Sequence, residues 1–456
     1  MSNVPTAEEK PTAPARTVSS ARNTVNIFTM RVVTLPLTVV TSILVARILG
    51  PQERGIYGFM VLIGAFALPI LMLGSGASAT YFISSKRYRA ADIFLTCFMI
   101  GILQGTLGAI LLGALWLLGL LGATANATGP SLFIPVLIAL PLQGAVNMGT
   151  RVALGDSWYA LNNRVMLSTA LLTGGMLLTL VVFLRLGVQG AVVGIVVNNL
   201  ILTSGILIAS IRHYRPKFAL NLQYVRESWR YGLKAWLADL AGTTNLRLDQ
   251  WILGMANAPQ ALGIYAPAVV ISELLWMIPD SLGFVLFNKI AAAKDPEEQA
   301  DLVERLNRII FWTMTLASVS MAVAGPWVIT LLYGQQYAAS ALPLALLMIG
   351  TVTFTTQKVL TKYFAGTGAP HHSGTTVAMG ALTGLVLYLP MIKFFGAPGA
   401  AIAHSACYTM TAVTAVYIYR RLIAPRRPHL YLLKIGDLSW LEGQVRLIRG
   451  RQPAEA

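Results

Sequence analysis

The sequence predicts an all-α polytopic membrane protein, with about twelve transmembrane helices in two parallel six-helix repeats around a central cavity. Three observations predict it. Hydrophobic residues make up 55% of the 456 positions and charged residues 11%, whereas an ordinary soluble domain is about a quarter charged. Apolar runs of about 20 residues, the length that crosses a bilayer as a helix, follow one another from Val25 to Leu422. The words PQERGIY (51–57) and GVQGA (187–191) return as PQALGIY (259–265) and GAPGA (396–400), at offsets of 208 and 209 positions. Two landmark pairs at nearly one spacing mark a unit of roughly 200 residues written twice.

The elements follow in order. Residues 1–24, rich in Pro, Ala, Ser and Thr, predict a disordered cytoplasmic tail. The first apolar run is too long for a signal-peptide core and has no convincing cleavage site, so it counts as a helix. The first lobe, 25–211, holds spans 25–49, 57–83, 92–121, 131–153, 165–186 and 189–211. The second lobe, 231–422, holds spans 231–255, 262–288, 306–333, 341–364, 374–395 and 398–420. An even number of spans per copy means that both copies enter from the same side, which makes the repeats parallel. Residues 212–230 predict a basic cytoplasmic linker with an interfacial segment. In the tail 423–456, HLYLLKIGDLSWLEGQVRLIRG reads either as an amphipathic helix on the inner leaflet or as a solvated tail.

The formal net charge of +16 would suggest nucleic acid in a soluble protein, but here its location decides. Lys86, Arg87 and Arg89, Arg151 and Arg164, Arg212, Arg215 and Lys217, and Lys289, Lys294 and Arg305 all fall in alternate loops. The opposite loops are short and nearly free of positive charge, and GLLGATANATGPS, ANAPQALG and YGQQYAAS have none. The rule of positive cytoplasmic loops then places both termini in the cytoplasm and leaves membrane lipid, with no nucleic acid, as the partner of the charge. Cys97 and Cys407 lie inside apolar spans, so neither a disulfide framework nor a metal cluster is expected.

Two six-helix bundles that enclose a cavity form a transporter's architecture, and at this point the residues carry a resemblance. ARILGPQERGIYGF, LDQWILGMANAPQALGIYAPAVVISELLWMIP and WVITLLYGQQYAASALPLALLMIG resemble the Wzx-type polysaccharide exporters across residues 22–422. Those exporters share the MOP superfamily with the MATE drug exporters and the lipid II flippases. The resemblance implies a flippase rather than an enzyme. It would carry an undecaprenyl-pyrophosphate-linked oligosaccharide across a bacterial inner membrane for exopolysaccharide, capsule or O-antigen synthesis, by ion-coupled alternating access. No cofactor is expected beyond a proton or sodium gradient, and the partners would be the lipid-linked substrate and a polysaccharide polymerase with its export machinery.

A charge inside a span costs about 2.5 to 3.5 kcal/mol on insertion scales, so each one needs a reason. Arg31 shares a helical stripe with Thr34, Thr38 and Thr41. Asp239, Thr243, Arg247 and Gln250 follow helical spacing, as do Thr351, Thr355, Lys358 and Lys362. Arg31, Arg247, Lys358 and Lys362 are the expected substrate-binding cations, while Asp239 and Asp249 are the ion-coupling candidates. The repeat offset carries Arg31 onto Asp239, which suggests that the two face each other across the cavity. Arg31 and Lys358 have an alternative reading as snorkelling side chains, and Arg47 reads as an outer anchor. Asn198, Asn199 and His404 either line the cavity or bond a neighbouring helix.

The repeated words are expected to mark outer turns, with Tyr57 and Tyr265 as interfacial anchors and no chemistry of their own. Three rival functions stay open: a MATE-type small-cation antiporter, an integral membrane enzyme of polysaccharide assembly, and a passive scramblase or scaffold. The first would prefer an acidic, aromatic cavity. The second needs a catalytic loop larger than any the sequence offers.

Overall fold

The computed structural model describes residues 15–126, 128–216, 219–256, 259–280, 290, 295–423, 429–434 and 436–437, with side chains for the same residues except 15–28, 31, 32, 123 and 238. The protein is an all-α polytopic membrane protein, and no strand occurs among the described residues. Helix α1 (Ala15–Leu71) bends at Gly50, where φ is 71° and ψ is 174°, a conformation that glycine adopts without strain. Pro51 then opens the second rod, at a position where a missing N–H costs nothing. The expected span 57–83 is interrupted: Leu73 and Gly74 take positive φ, 44° and 74°, before α2 (Ser75–Ser84) begins. The break admits α8, because a Cβ at Gly74 would lie 1.9 Å from the Gly232 carbonyl oxygen.

The first half continues through α3 (Ala90–Leu117), a short α4 (Ala123–Asn126), α5 (Pro130–Gly155), α6 (Tyr159–Met176) and α7 (Gly187–Tyr214). Between α6 and α7, residues Leu177–Phe183 widen into a π turn. The second half contains α8 (Leu222–Ala256), α9 (Pro259–Leu275), α10 (Pro296–Tyr333), α11 (Ala341–Gly366) and α12 (His371–Leu422). Helix α12 bends at Gly396, where φ is 60°; its counterpart in the first repeat, Gly187, has φ 55°.

Nine helices among the described residues are long and apolar enough to cross a membrane. Two of these contain the glycine bends, and α8 falls outside the nine because its charged residues dilute its hydropathy. Two expected boundaries move. Residues 15–24, expected in a disordered tail, belong to α1, and residues 222–230 of the expected linker are the first turns of α8. The acidic run at 295–305 starts α10 as a capped helix: the Asp295 side chain accepts from the Glu297 N–H at 3.1 Å and Pro296 follows at the first position. His371 and His372 are the first residues of α12.

The largest apolar core joins the two halves at the end that carries the short uncharged loops. There Ala46, Phe59 and Ile63 of α1 pack with Leu253, Tyr265 and Tyr337. At the basic-loop end, Phe82, Phe94 and Cys97 form a core with Tyr224, while Val303, Leu306 and Tyr419 form a separate one in the second half.

The chain after α12 is docked on the protein in its described part. Arg308 donates two parallel 2.7 Å bonds to Asp437 and a third, of 2.6 Å, to the His429 carbonyl. Asn307 donates to the Leu430 carbonyl and Trp312 to the Tyr431 carbonyl, both at 2.8 Å. Residues 438–450 of the expected amphipathic segment lie outside the described residues.

Candidate functional site

The first half holds a cavity of about 550 Å³ in whose wall amides and hydroxyls stand beside the apolar side chains Val146, Val165, Met166 and Ala170. Helix α1 contributes Thr34, Thr38 and Thr41; α5 contributes Gln143, Asn147 and Thr150; α6 contributes Asn162, Thr169 and Thr173; and α7 contributes Asn199. The spacing of three, four and seven puts each set on one helical face. Thr34, Thr38 and Thr150 donate to carbonyls one turn back, at 2.9, 3.0 and 2.9 Å, so their oxygens turn acceptor lone pairs to the cavity. The asparagine and glutamine amides supply donors. No charged side chain is among its described lining residues. A second cavity of about 570 Å³, lined by Trp158, Tyr159, Asn163 and Arg164, opens at the basic-loop end.

The second half carries the charges. Arg247 of α8 bonds Glu273 of α9 at 2.7 and 3.3 Å. Lys358 of α11 bonds both oxygens of Asp280 at 2.8 and 3.0 Å and lies 4.9 Å from the centre of the Trp276 ring. Lys362 follows one turn along and is half-buried. Each pair is partly open to solvent, with side-chain exposures of 33% and 27% for the first and 17% and 44% for the second. An incoming anion could therefore compete for these cations.

Behind that surface Asp249 is fully buried. Its Oδ2 accepts from the Tyr265 hydroxyl at 2.6 Å and lies 3.0 Å from Nδ1 of His404. Asp249 and His404 are 155 positions apart in the sequence and come together through the packing of α8 against α12.

The short-loop end is closed by contact between the two repeated words. A Cβ at Gly55 would lie 1.8 Å from the Pro259 carbonyl oxygen, and one at Gly263 would lie 1.7 Å from that of Pro51. The two rods therefore touch backbone to backbone, each motif's glycine on the other's proline. Arg47 donates to the carbonyls of Leu331 and Leu332 at the end of α10. Arg54, 6% exposed, donates to the Ser42 carbonyl at 2.6 Å and sits 5.5 Å from the centre of the Tyr333 ring.

Residues 44–342 match the family described as "Polysaccharide biosynthesis protein". The chain belongs to that family. It is similar to the probable flippase AglR of Haloferax volcanii, at 26% identity over 220 residues. That match spans 44% of either chain, less than half the length of this curated relative. Among solved structures, the lipid II flippase MurJ in its inward closed conformation superposes with a TM-score of 0.71, at 12% identity over 94% of each chain. An inward-facing MATE multidrug transporter of the MOP superfamily superposes at 0.66, with 15% identity over 85% of this chain and 94% of that one. These likenesses show that the chain has the fold of the MOP superfamily transporters.

In this polysaccharide biosynthesis protein the residues expected from sequence are distributed as follows. Thr38 and Asn199 line the first-half cavity, while Asn198, 7% exposed, donates to Thr173 at 2.8 Å. Asp239 is exposed on α8, and the Arg31 side chain that was expected to face it lies outside the described residues. Thr243 is half-buried and Gln250 buried on the same helix. Thr351 and Thr355, expected on a polar face with Lys358, are buried at 1% exposure and donate to their own helix. Lys358 is paired with an acid rather than snorkelling alone, and Arg47, exposed near the outer end of its span, ties α1 to α10.

Tyr265 is no interfacial anchor: it is fully buried on Asp249. Sequence reasoning missed Glu273 and Asp280, although an acid inside the apolar run VVISELLWMIPD was a visible signal. It also missed the amides of α5 and α6, which a helical-face reading of spans 131–153 and 165–186 would have found.

Proposed function

We propose that this protein is a flippase for an oligosaccharide linked to undecaprenyl pyrophosphate, and that it works by ion-coupled alternating access in a bacterial inner membrane. The basic-loop end and both termini face the cytoplasm, and the product is handed to a polymerase on the far side. The observation that carries this reading is the set of amides and hydroxyls in the described lining of the first-half cavity, which the second half complements with the cations Arg247, Lys358 and Lys362. A polyhydroxyl sugar needs alternating donors and acceptors, and a pyrophosphate needs cations. The headgroup sits between the halves, its phosphates drawing Arg247 and Lys358 away from Glu273 and Asp280. A small-cation antiporter would instead place acids in the cavity wall.

The reading predicts that Asn162→Leu and Asn147→Leu each slow export about fivefold, the equivalent of one hydrogen bond of about 1 kcal/mol, with membrane insertion unchanged. Export is measured as labelled sugar reaching the outer face of cells that depend on this protein. Wild-type export in the double variant would remove the sugar from this cavity.

A further inference from the structure

The repeated word PQALGIY ends on Tyr265, whose hydroxyl is buried against a carboxylate. Four segments of the second half converge there: Asp249 from α8, Tyr265 from α9, and Tyr388 and His404 from the two rods of α12. All four residues are at most 4% exposed. His404 Nδ1 lies 3.0 Å from Asp249 Oδ2 and 3.1 Å from the Tyr388 hydroxyl. Asp249 Oδ1 is buried with no hydrogen-bond partner among the described residues, and so is the hydroxyl of Tyr408, whose ring lies 4.1 Å from that of His404. Arg247 and Glu273, the other charged groups near this cluster, are paired with each other, so Asp249 has no cation of its own until the imidazole is protonated.

We propose that Asp249 and His404 form the proton-carrying site that couples transport in this protein, with Tyr265 linking its protonation state to the closure of the short-loop end. With the hydrogen on Nδ1, the imidazole donates to Asp249 and the buried cluster carries one negative charge. One proton taken from bulk water forms a new N–H bond at Nε2 and converts the cluster to a neutral imidazolium–carboxylate pair. Uptake therefore removes an uncompensated buried charge, the most costly feature of the site. A proton suits the cluster better than a metal cation, because Tyr265 and His404 present donors to the carboxylate and a cation needs several oxygen acceptors. Tyr265 stands two residues after Gly263, which touches the Pro51 backbone, so a change in the grip on its hydroxyl acts directly on the contact between the halves.

The proposal rests on the ion-coupled reading above, but its test needs no substrate. Spin labels on Gln52→Cys and Gln260→Cys, exposed positions in the two repeated words, report the separation of the short-loop ends of the full chain in lipid nanodiscs. The separation in wild type should change with a single midpoint as pH is varied. Asp249→Asn and His404→Gln should each abolish that change. Tyr265→Phe keeps both titratable groups and should displace the midpoint without abolishing the response, which covers the case in which the first two fail to fold. A pH-independent wild type, or Asp249→Asn and His404→Gln variants that titrate like wild type, would overturn the site. A failed flippase reading would instead appear as normal lipid-linked sugar pools in cells without the protein.

Discussion

Gly263→Val should hold the short-loop ends apart and suppress export strongly, although the residue touches no substrate. Gly263 lies in α9, where a Cβ would stand 1.7 Å from the Pro51 carbonyl oxygen of α1, and Gly55 meets Pro259 in the reciprocal way. Both obstacles are backbone atoms, which cannot turn aside as a flexible side chain can. Overpacking of this kind costs about 1 to 3 kcal/mol where neighbours can adjust, enough to shift a two-state equilibrium roughly 5- to 150-fold. The cost falls on the conformation with these ends together, so the variant should accumulate in the alternative one. Spin labels at Gln52 and Gln260 measure this directly. An unchanged distance distribution would mean that the glycine contact is not what closes this end.

The second large effect concerns the docked tail. Asp437→Ala should destabilise the protein by about 3 to 5 kcal/mol, because it strands a buried guanidinium. Arg308 and Asp437 have side-chain exposures of 4% and 1%. The Arg308 bonds also hold the Asp437 carboxyl below the usual carboxylate range. Its contribution is therefore complete above about pH 4, the unfolded value, and is lost as pH falls below that toward the folded one. Thermal melts should show the wild type losing part of its advantage over Asp437→Ala in acid. The paired replacement Arg308→Met with Asp437→Leu should cost less than Asp437→Ala alone, since it removes both charges. Equal melting of wild type and Asp437→Ala at neutral pH would show that the clasp does not stabilise the fold.

The architecture was legible because its causes are local. Apolar runs specify membrane helices one by one, and the two repeated words exposed the duplication. Interruptions caused by tertiary contact were not legible: the break at Leu73 and Gly74 exists because α8 approaches there, and nothing within 57–83 states that. The candidate site divides in the same way. The Thr34, Thr38 and Thr41 stripe could be read from spacing, whereas the partners of Arg247 and Lys358 could not, because Glu273 and Asp280 sit on another helix. Tyr265 was misread for a related reason. An aromatic at the end of an outer turn ordinarily sits at the interface, and only the packing of α8 against α9 shows that it points inward. The tail offered a helical pattern, but its described part is fixed by the side chains of α10 instead.

The cargo proposed for the first-half cavity and the second-half cations is a sugar headgroup on a polyprenyl lipid. The most direct measurement is mass spectrometry of polyprenyl-linked lipids from cells with and without the protein. One complete undecaprenyl-pyrophosphate oligosaccharide should accumulate when the protein is missing, and Lys358→Ala should accumulate the same species. An unchanged lipid pool would contradict the flippase and favour a small-molecule antiporter, while a truncated oligosaccharide would point to an enzyme that extends the chain.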